Sequence, residues 1–168
     1  HDAIKAGTPD RDRCISNYIT TLENLGREGI RMVCYNFMPV FDWLRTDLSH
    51  RNPDGSTSLY YDDAELRGLT PASLLERTEK NSNGFVLPGW EPERLKELRR
   101  VLELYADVDD RRLLENYKYF LEGVLPACEE CGVRLAVHPD DPAWPVFGLP
   151  RIVHSREDFD RIMALADS

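Results

Sequence analysis

The residues best equipped for chemistry in this chain are His138-Pro139-Asp140-Asp141-Pro142. A neutral imidazole is the commonest protein ligand for a metal, and its ordinary pKa also suits proton transfer. His138 is therefore a candidate for metal ligation or for acid/base duty, against the plainer reading of a structural histidine. Asp140 and Asp141 are supporting candidates, carboxylates of the kind that orient an imidazole. Their plainer reading is turn formation, which an aspartate ahead of a proline does well.

The element that must position this stretch precedes it directly. Val133-Arg134-Leu135-Ala136-Val137 is a short apolar run, read as a buried strand. Prolines lack the N–H that a sheet ladder needs, so Pro139 and Pro142 stop the strand and stiffen the loop beyond it. The polar groups then sit at the strand's C-terminal end, where parallel α/β folds bind ligands. Ile30 to Tyr35 repeats the design, an apolar run with little alternation that ends on Asn36.

A helix and a glycine turn precede each run. Thr8-Pro9-Asp10 starts the first helix, with Ile15, Tyr18, Ile19, Leu22 and Leu25 at helical spacing and Gly26 and Gly29 closing it. The longest helical pattern runs from Arg111 to Cys128, and Pro126 predicts a kink or an early end near Val124 or Leu125. Gly132 supplies its left-handed stop. Ser155 to Asp158 approximates a capping box, and Phe159, Ile162, Met163 and Leu165 form a last helical face. Alternation of this kind predicts an α/β fold with a parallel sheet.

Between Asn36 and Glu91 lies a connection much longer than an ordinary βα loop, and such connections usually carry function. Phe41 to Asp47 within it is aromatic-rich, with Arg45 between Asp42 and Asp47. It reads as an exposed binding loop or as a loop packed by its own aromatics, with Arg45 pairing a neighbouring carboxylate. Asn52 to Ser56 is turn chemistry, Thr57 to Tyr61 a hairpin strand. A short helix is expected from Thr70 to about Lys80 and another from Glu91, with Leu95, Leu98, Leu102 and Tyr105 on one face. Trp43, Trp90 and Trp144 fall in loops, where they either line a polyol or sugar site or pin the loops down. His50 and His154 are expected to be exposed.

Composition narrows the partners. A formal charge of −9 lacks the basic stripe of a nucleic-acid surface. No run approaches the roughly 18 apolar residues of a membrane span. Cys14, Cys34, Cys128 and Cys131 are too few and too uneven for a disulfide framework, and Cys128-Glu-Glu-Cys131 has no second metal-binding pair. All four are expected as thiols in a reducing cytosol. No phosphate-binding glycine loop, nucleophile elbow or HExxH motif is present.

Three blocks taken together resemble a known family. Val33 to Leu48 followed by Pro53-Asp-Gly-Ser56, Gly84 to Trp90, and His138 to Pro142 with Phe147 to Ile152 are similar to mannonate dehydratases, in the family's order. Leu44 departs from the pattern, where a threonine or similar residue is expected. The resemblance implies a xylose-isomerase-like (β/α)8 barrel. Such a barrel takes about 250 residues, so residues 1–168 read as the central segment of one TIM-barrel domain, with a long insertion at about 37–90 and both terminal parts outside. It implies dehydration of D-mannonate to 2-dehydro-3-deoxy-D-gluconate in hexuronate catabolism, with Mn²⁺ or Fe²⁺.

His138 matches one metal ligand of the family; its Cys, second His and Asp ligands match nothing in this chain, so the segment alone is expected to be inactive. Arg45 is expected to clamp the substrate carboxylate or a hydroxyl, and Asn36 to hydrogen-bond a sugar hydroxyl. The general acid and base are unassigned. A cytoplasmic protein forming a homodimer or larger assembly is expected. A non-catalytic sugar-acid-binding barrel fragment and a metal-dependent sugar isomerase are the alternatives.

Overall fold

The computed structural model describes residues 2–71, 73, 76, 98 and 100–166. Gly84 to Trp90, and most of the two helices expected on either side, lie outside the described residues. The element order is α1 (Asp2–Lys5), α2 (Arg11–Arg27), β1 (Met32–Tyr35), β2 (Asp47–Arg51), β3 (Thr57–Tyr60), α3 (Asp63–Leu66), α4 (Asp110–Cys131), β4 (Arg134–Val137) and α5 (Arg156–Ala166).

β1 and β4 pair in parallel, with Met32 opposite Arg134 and Tyr35 opposite Val137. β2 and β3 form a separate antiparallel hairpin closed by the Asn52–Ser56 turn. The parallel pair packs through Val33, Tyr35, Leu135 and Val137 onto a core built from α2 and α4, with Leu22, Leu113, Tyr117 and Val124 almost fully buried. Alternate strand residues point to opposite faces, and the other face is open: Met32 is 56% exposed, and Cys34 and Arg134 are exposed too. The expectation of buried strands is corrected, because among the described residues α2 and α4 cover one face only.

Two glycines explain how the helices meet the sheet. A Cβ on Gly26 would lie 2.7 Å from the Cys131 carbonyl oxygen, so only glycine lets the ends of α2 and α4 come this close. Gly132 takes the left-handed conformation, φ 65°, and its N–H bonds to the Glu129 carbonyl, turning the chain from α4 into β4. The expected break at Pro126 does not occur, and α4 runs through it. Pro126 lies on the exposed side, where water can serve the carbonyl that loses its helical N–H.

The capping box at α5 is present: Asp158 accepts from the Ser155 N–H at 3.0 Å, and the Asp158 N–H donates to Ser155 Oγ at 3.2 Å. Met163, expected on the packed face of α5, is exposed instead. His154 is exposed as expected, whereas His50 is half-buried and stacks on Tyr60 with ring centroids 4.0 Å apart. Cys14, Cys34, Cys128 and Cys131 are all free. Burial pushes the Cys128 thiol up to about 11, with Cys131 adding to the rise, which makes it a packing residue. Among the described residues, no helix is long and apolar enough to cross a membrane.

Candidate active site

The parallel register brings the two polar strand ends side by side. The His138 N–H donates to the Tyr35 carbonyl at 2.7 Å, so Asn36 and His138 leave the sheet together. His138 Nδ1 lies 2.6 Å from the Pro139 carbonyl oxygen. A carbonyl only accepts, so Nδ1 carries the proton and the lone pair of the neutral ring is on Nε2. Trp43 leans over this imidazole, with ring centroids 5.9 Å apart.

The two aspartates diverge. Asp140 is buried, and its Oδ2 accepts from the N–H groups of both Ile152 and Val153 at 2.7 Å. Its own N–H donates to the Val153 carbonyl at 2.7 Å. Asp140 thus staples the returning chain beneath the site instead of orienting the imidazole. Asp141 faces the other loop. Both its oxygens take the Arg45 guanidinium, Nη1 at 2.9 Å and Nη2 at 2.7 Å, and its carbonyl accepts from the Trp43 N–H at 2.8 Å. Its N–H lies 3.0 Å from Met38 Sδ, and the peptide bond to Pro142 is cis.

Arg45 also donates from Nη1 to the Leu44 carbonyl at 2.7 Å. Both Nη1 protons are therefore used, while Nε–H and one Nη2 proton have no partner among the described residues. The plainer reading of this loop, with Arg45 paired to a carboxylate, is what the structure shows, and the guanidinium edge left over is the one a second carboxylate would use. Asn36 is similarly held. Its Oδ1 accepts from Met38 N–H at 3.3 Å and Lys5 Nζ at 3.4 Å, and its Nδ2 donates to Asp42 at 3.3 Å. One Nδ2 proton has no partner among the described residues. Lys5, Asp42 and Asn36 line a cavity of about 480 Å³ that extends along β1.

Sequence reasoning gave no role to Lys5, Asp42 or Arg151. Lys5 carried no local signal, since it reaches Asn36 across 31 positions. Arg151 did carry one: a lone cation among Leu149, Pro150, Ile152 and Val153 is flanked by residues that bury. It is itself 2% exposed and donates to the carbonyls of Pro39 and Phe41. Among the described residues, no group of three His, Cys, Asp or Glu side chains could hold a metal ion. His138 thus offers a single ligand atom.

Parallel strands that deliver polar loops to one edge define an α/β protein, a class that binds ligands at the carboxyl ends of its strands. The family model for D-mannonate dehydratase (UxuA) matches residues 1–168, and the chain belongs to that family. It is 64% identical over 169 residues to a mannonate dehydratase of Lachnoclostridium phytofermentans and 55% identical over 168 residues to one of Thermotoga neapolitana. Each match covers all of this chain and 47% of the relative, so the chain spans about half the length of these enzymes. The crystal structure of mannonate dehydratase from Streptococcus suis serotype 2 superposes with a TM-score of 0.82 at 41% identity, over all of this chain and 42% of that one.

Proposed function

We propose that these residues form the part of a D-mannonate dehydratase that carries one metal ligand and the sugar-acid-binding rim, on a partial (β/α)8 barrel of the xylose-isomerase-like kind. The observation that carries the reading is the placement of His138 at the carboxyl end of β4, with Nδ1 committed to the Pro139 carbonyl and Nε2 free to ligate. The described residues fit one position of a metal site, and the remaining ligands would come from residues outside this stretch. A bound Mn²⁺ or Fe²⁺ supplies Lewis acidity toward the substrate carboxylate, which makes the C2 proton easier to remove.

The chain's own residues then bind and orient. The unused Nε/Nη2 edge of Arg45 takes the carboxylate or a hydroxyl of the sugar acid, with Asp141 fixing the opposite edge of the fork. The remaining Nδ2 proton of Asn36 donates to a sugar hydroxyl. The reaction removes the proton on C2 and expels the C3 hydroxyl as water, leaving an enol that tautomerises to 2-dehydro-3-deoxy-D-gluconate. Such a step belongs to hexuronate breakdown in the cytoplasm. Among the described residues the outer edges of the β1–β4 pair carry no further strand, and such edges favour a partner, further strands or a second copy, since unpaired edges otherwise template aggregation. We propose a homodimer or larger assembly.

The test is His138→Ala in the full-length protein that carries these residues. Bound manganese and iron, measured by elemental analysis, should fall together with mannonate dehydration, by about 100-fold or more in rate, since even residues that only orient a ligand cost 10- to 100-fold. Unchanged metal content and unchanged rate would overturn the ligand role.

A further inference from the structure

We propose that Arg151 is a positioning residue for the site, a buried clamp that holds the 37–46 loop so that Arg45 and Trp43 meet the His138–Asp141 loop. The inference rests on the dehydratase reading for its kinetic arm and on geometry alone for its structural arm.

Two observations place the clamp. Arg151 Nη1 donates to the Pro39 carbonyl at 3.3 Å and Nη2 to the Phe41 carbonyl, so one guanidinium grips two carbonyls on either side of Val40. Val40 has φ 55°, a left-handed conformation that a β-branched residue adopts only when its surroundings impose it. Trp43 is left-handed as well, at φ 58°. The turn about Val40 is closed by the Phe41 N–H on the Pro39 carbonyl at 2.6 Å, and Arg151 holds that same carbonyl and the Phe41 carbonyl, so it ties an already tight bend to the backbone below. The loop's far end is tied separately, by the Thr46 N–H to the Tyr60 carbonyl at 2.9 Å. Between those two ties lie Asp42, Trp43 and Arg45, the residues that reach Asn36, His138 and Asp141.

The second observation is the staple on the other side. Asp140 binds the N–H groups of Ile152 and Val153, the residues directly after Arg151. The backbone that carries Arg151 is therefore fixed to the His138–Asp141 loop, while its guanidinium is fixed to the 37–46 loop. Arg151 thus adds a buried link between the two halves of the site, across 110 positions of sequence to Phe41, beneath the Arg45–Asp141 and Trp43–Asp141 bonds at the surface.

A guanidinium is a poor choice for stability alone. Burial lowers the Arg151 pKa, and attraction to Asp140, Asp42, Tyr61 and Asp141 acts in the opposite direction. Replacing a buried charge network with apolar side chains of similar volume is often neutral or stabilising. What an apolar residue cannot do is direct two carbonyls at once, which a planar fork does.

The experiment compares Arg151→Lys and Arg151→Met with wild type in the full-length protein. Each variant is scored for KM and kcat on mannonate and for hydrogen exchange at the amides of residues 41–46 and of α4. Both should keep bound metal and α4 protection. KM should rise about tenfold or more with kcat within about threefold, since lost substrate positioning without lost chemistry appears in KM. Exchange at the Trp43 amide, which bonds to the Asp141 carbonyl, should accelerate. Lys, keeping the charge on a single donor nitrogen without the planar fork, should restore part of the KM that Met loses. A residue that only filled space would lower thermal stability and leave both KM and Trp43 exchange unchanged, and that result would overturn the proposal. If one variant does not accumulate as folded protein, the other carries both readouts. Should wild type fail to dehydrate mannonate, the dehydratase reading falls. The exchange measurement then decides the clamp alone, upheld by faster Trp43 exchange and overturned by none.

Discussion

The layer between sheet and helices and the rim at the strands' carboxyl ends are both buried, but different forces hold them. In the layer, the side chains of Leu22, Leu113, Phe120 and Val124 pack with no polar atoms to satisfy, and Tyr35 and Tyr117 pair their hydroxyls with each other at 2.5 Å. In the rim, Thr46, Asp140 and Arg151 are equally buried, and each is aimed at named backbone groups. Apolar packing depends on volume and tolerates exchange of shapes. Directed hydrogen bonds depend on geometry, and a buried polar group left without its partner loses its full solvation. Changes in the layer should therefore appear in stability, and changes in the rim should appear in the site.

Leu113→Ala tests the first half and should have the largest effect. Leu113 is 0% exposed, and truncating a buried leucine costs about 2–5 kcal/mol. Thermal unfolding of the full-length protein should shift by that amount while KM in the folded fraction stays put. A changed KM would show that layer and rim are not separable.

The tyrosine pair gives a pH-dependent version of the same test. Burial raises both hydroxyls, Tyr117 to about 12; the bond from Tyr35 pulls Tyr117 back, while the charge of Tyr117 adds to the rise at Tyr35. A group whose pKa is raised on folding stabilises fully below its unfolded pKa and loses that contribution as pH climbs to the folded value. The pair's contribution should thus be flat to about pH 10 and fall from there through about 12, by on the order of 2 kcal/mol, on top of the loss that the raised Cys128 thiol begins at lower pH. The double variant Tyr35→Phe/Tyr117→Phe removes both partners together and should make this alkaline limb shallower in pH-dependent denaturation, leaving the share of Cys128 and Tyr61. A limb of undiminished slope would place the titrating groups elsewhere.

The difference between layer and rim also explains what could be read in advance. Periodicity exposes packing, so α2, α4 and α5 were legible from Leu22, Tyr117, Phe159 and their spacing, the parallel strands from their apolar runs, and the β3 arm from the Asn52–Ser56 turn before it. Local chemistry exposes caps, so Gly132 and the Ser155–Asp158 box were legible too. His138, Asn36 and Arg45 stood out because strand ends and an isolated cation in an aromatic loop are local signals. β2 was not legible: Asp47–Arg51 has one buried apolar residue, Leu48, and becomes a strand by pairing with β3. The open face of β1 was not legible either, because a four-residue apolar run does not say how many layers cover it. The rim's bonds span 96 positions from Arg45 to Asp141 and 112 from Pro39 to Arg151, distances over which spacing carries no information.

The Arg45–Asp141 pair offers the smallest stability effect and the sharpest contrast. Its geometry is bidentate, and the two side chains are 17% and 34% exposed, so water still screens the pair. A double-mutant cycle with Arg45→Met and Asp141→Asn should return a coupling of about 1 kcal/mol in unfolding free energy, near the upper end for partly exposed pairs. The same cycle in kcat/KM for mannonate should give far more for Arg45→Met than for Asp141→Asn. Arg45 contacts substrate in the proposed site, whereas Asp141 only fixes the fork from behind. Equal kinetic losses for the two single variants would mean that the guanidinium serves the loop and not the sugar acid. A coupling well above 1 kcal/mol would mean that the rim contributes to stability as the layer does.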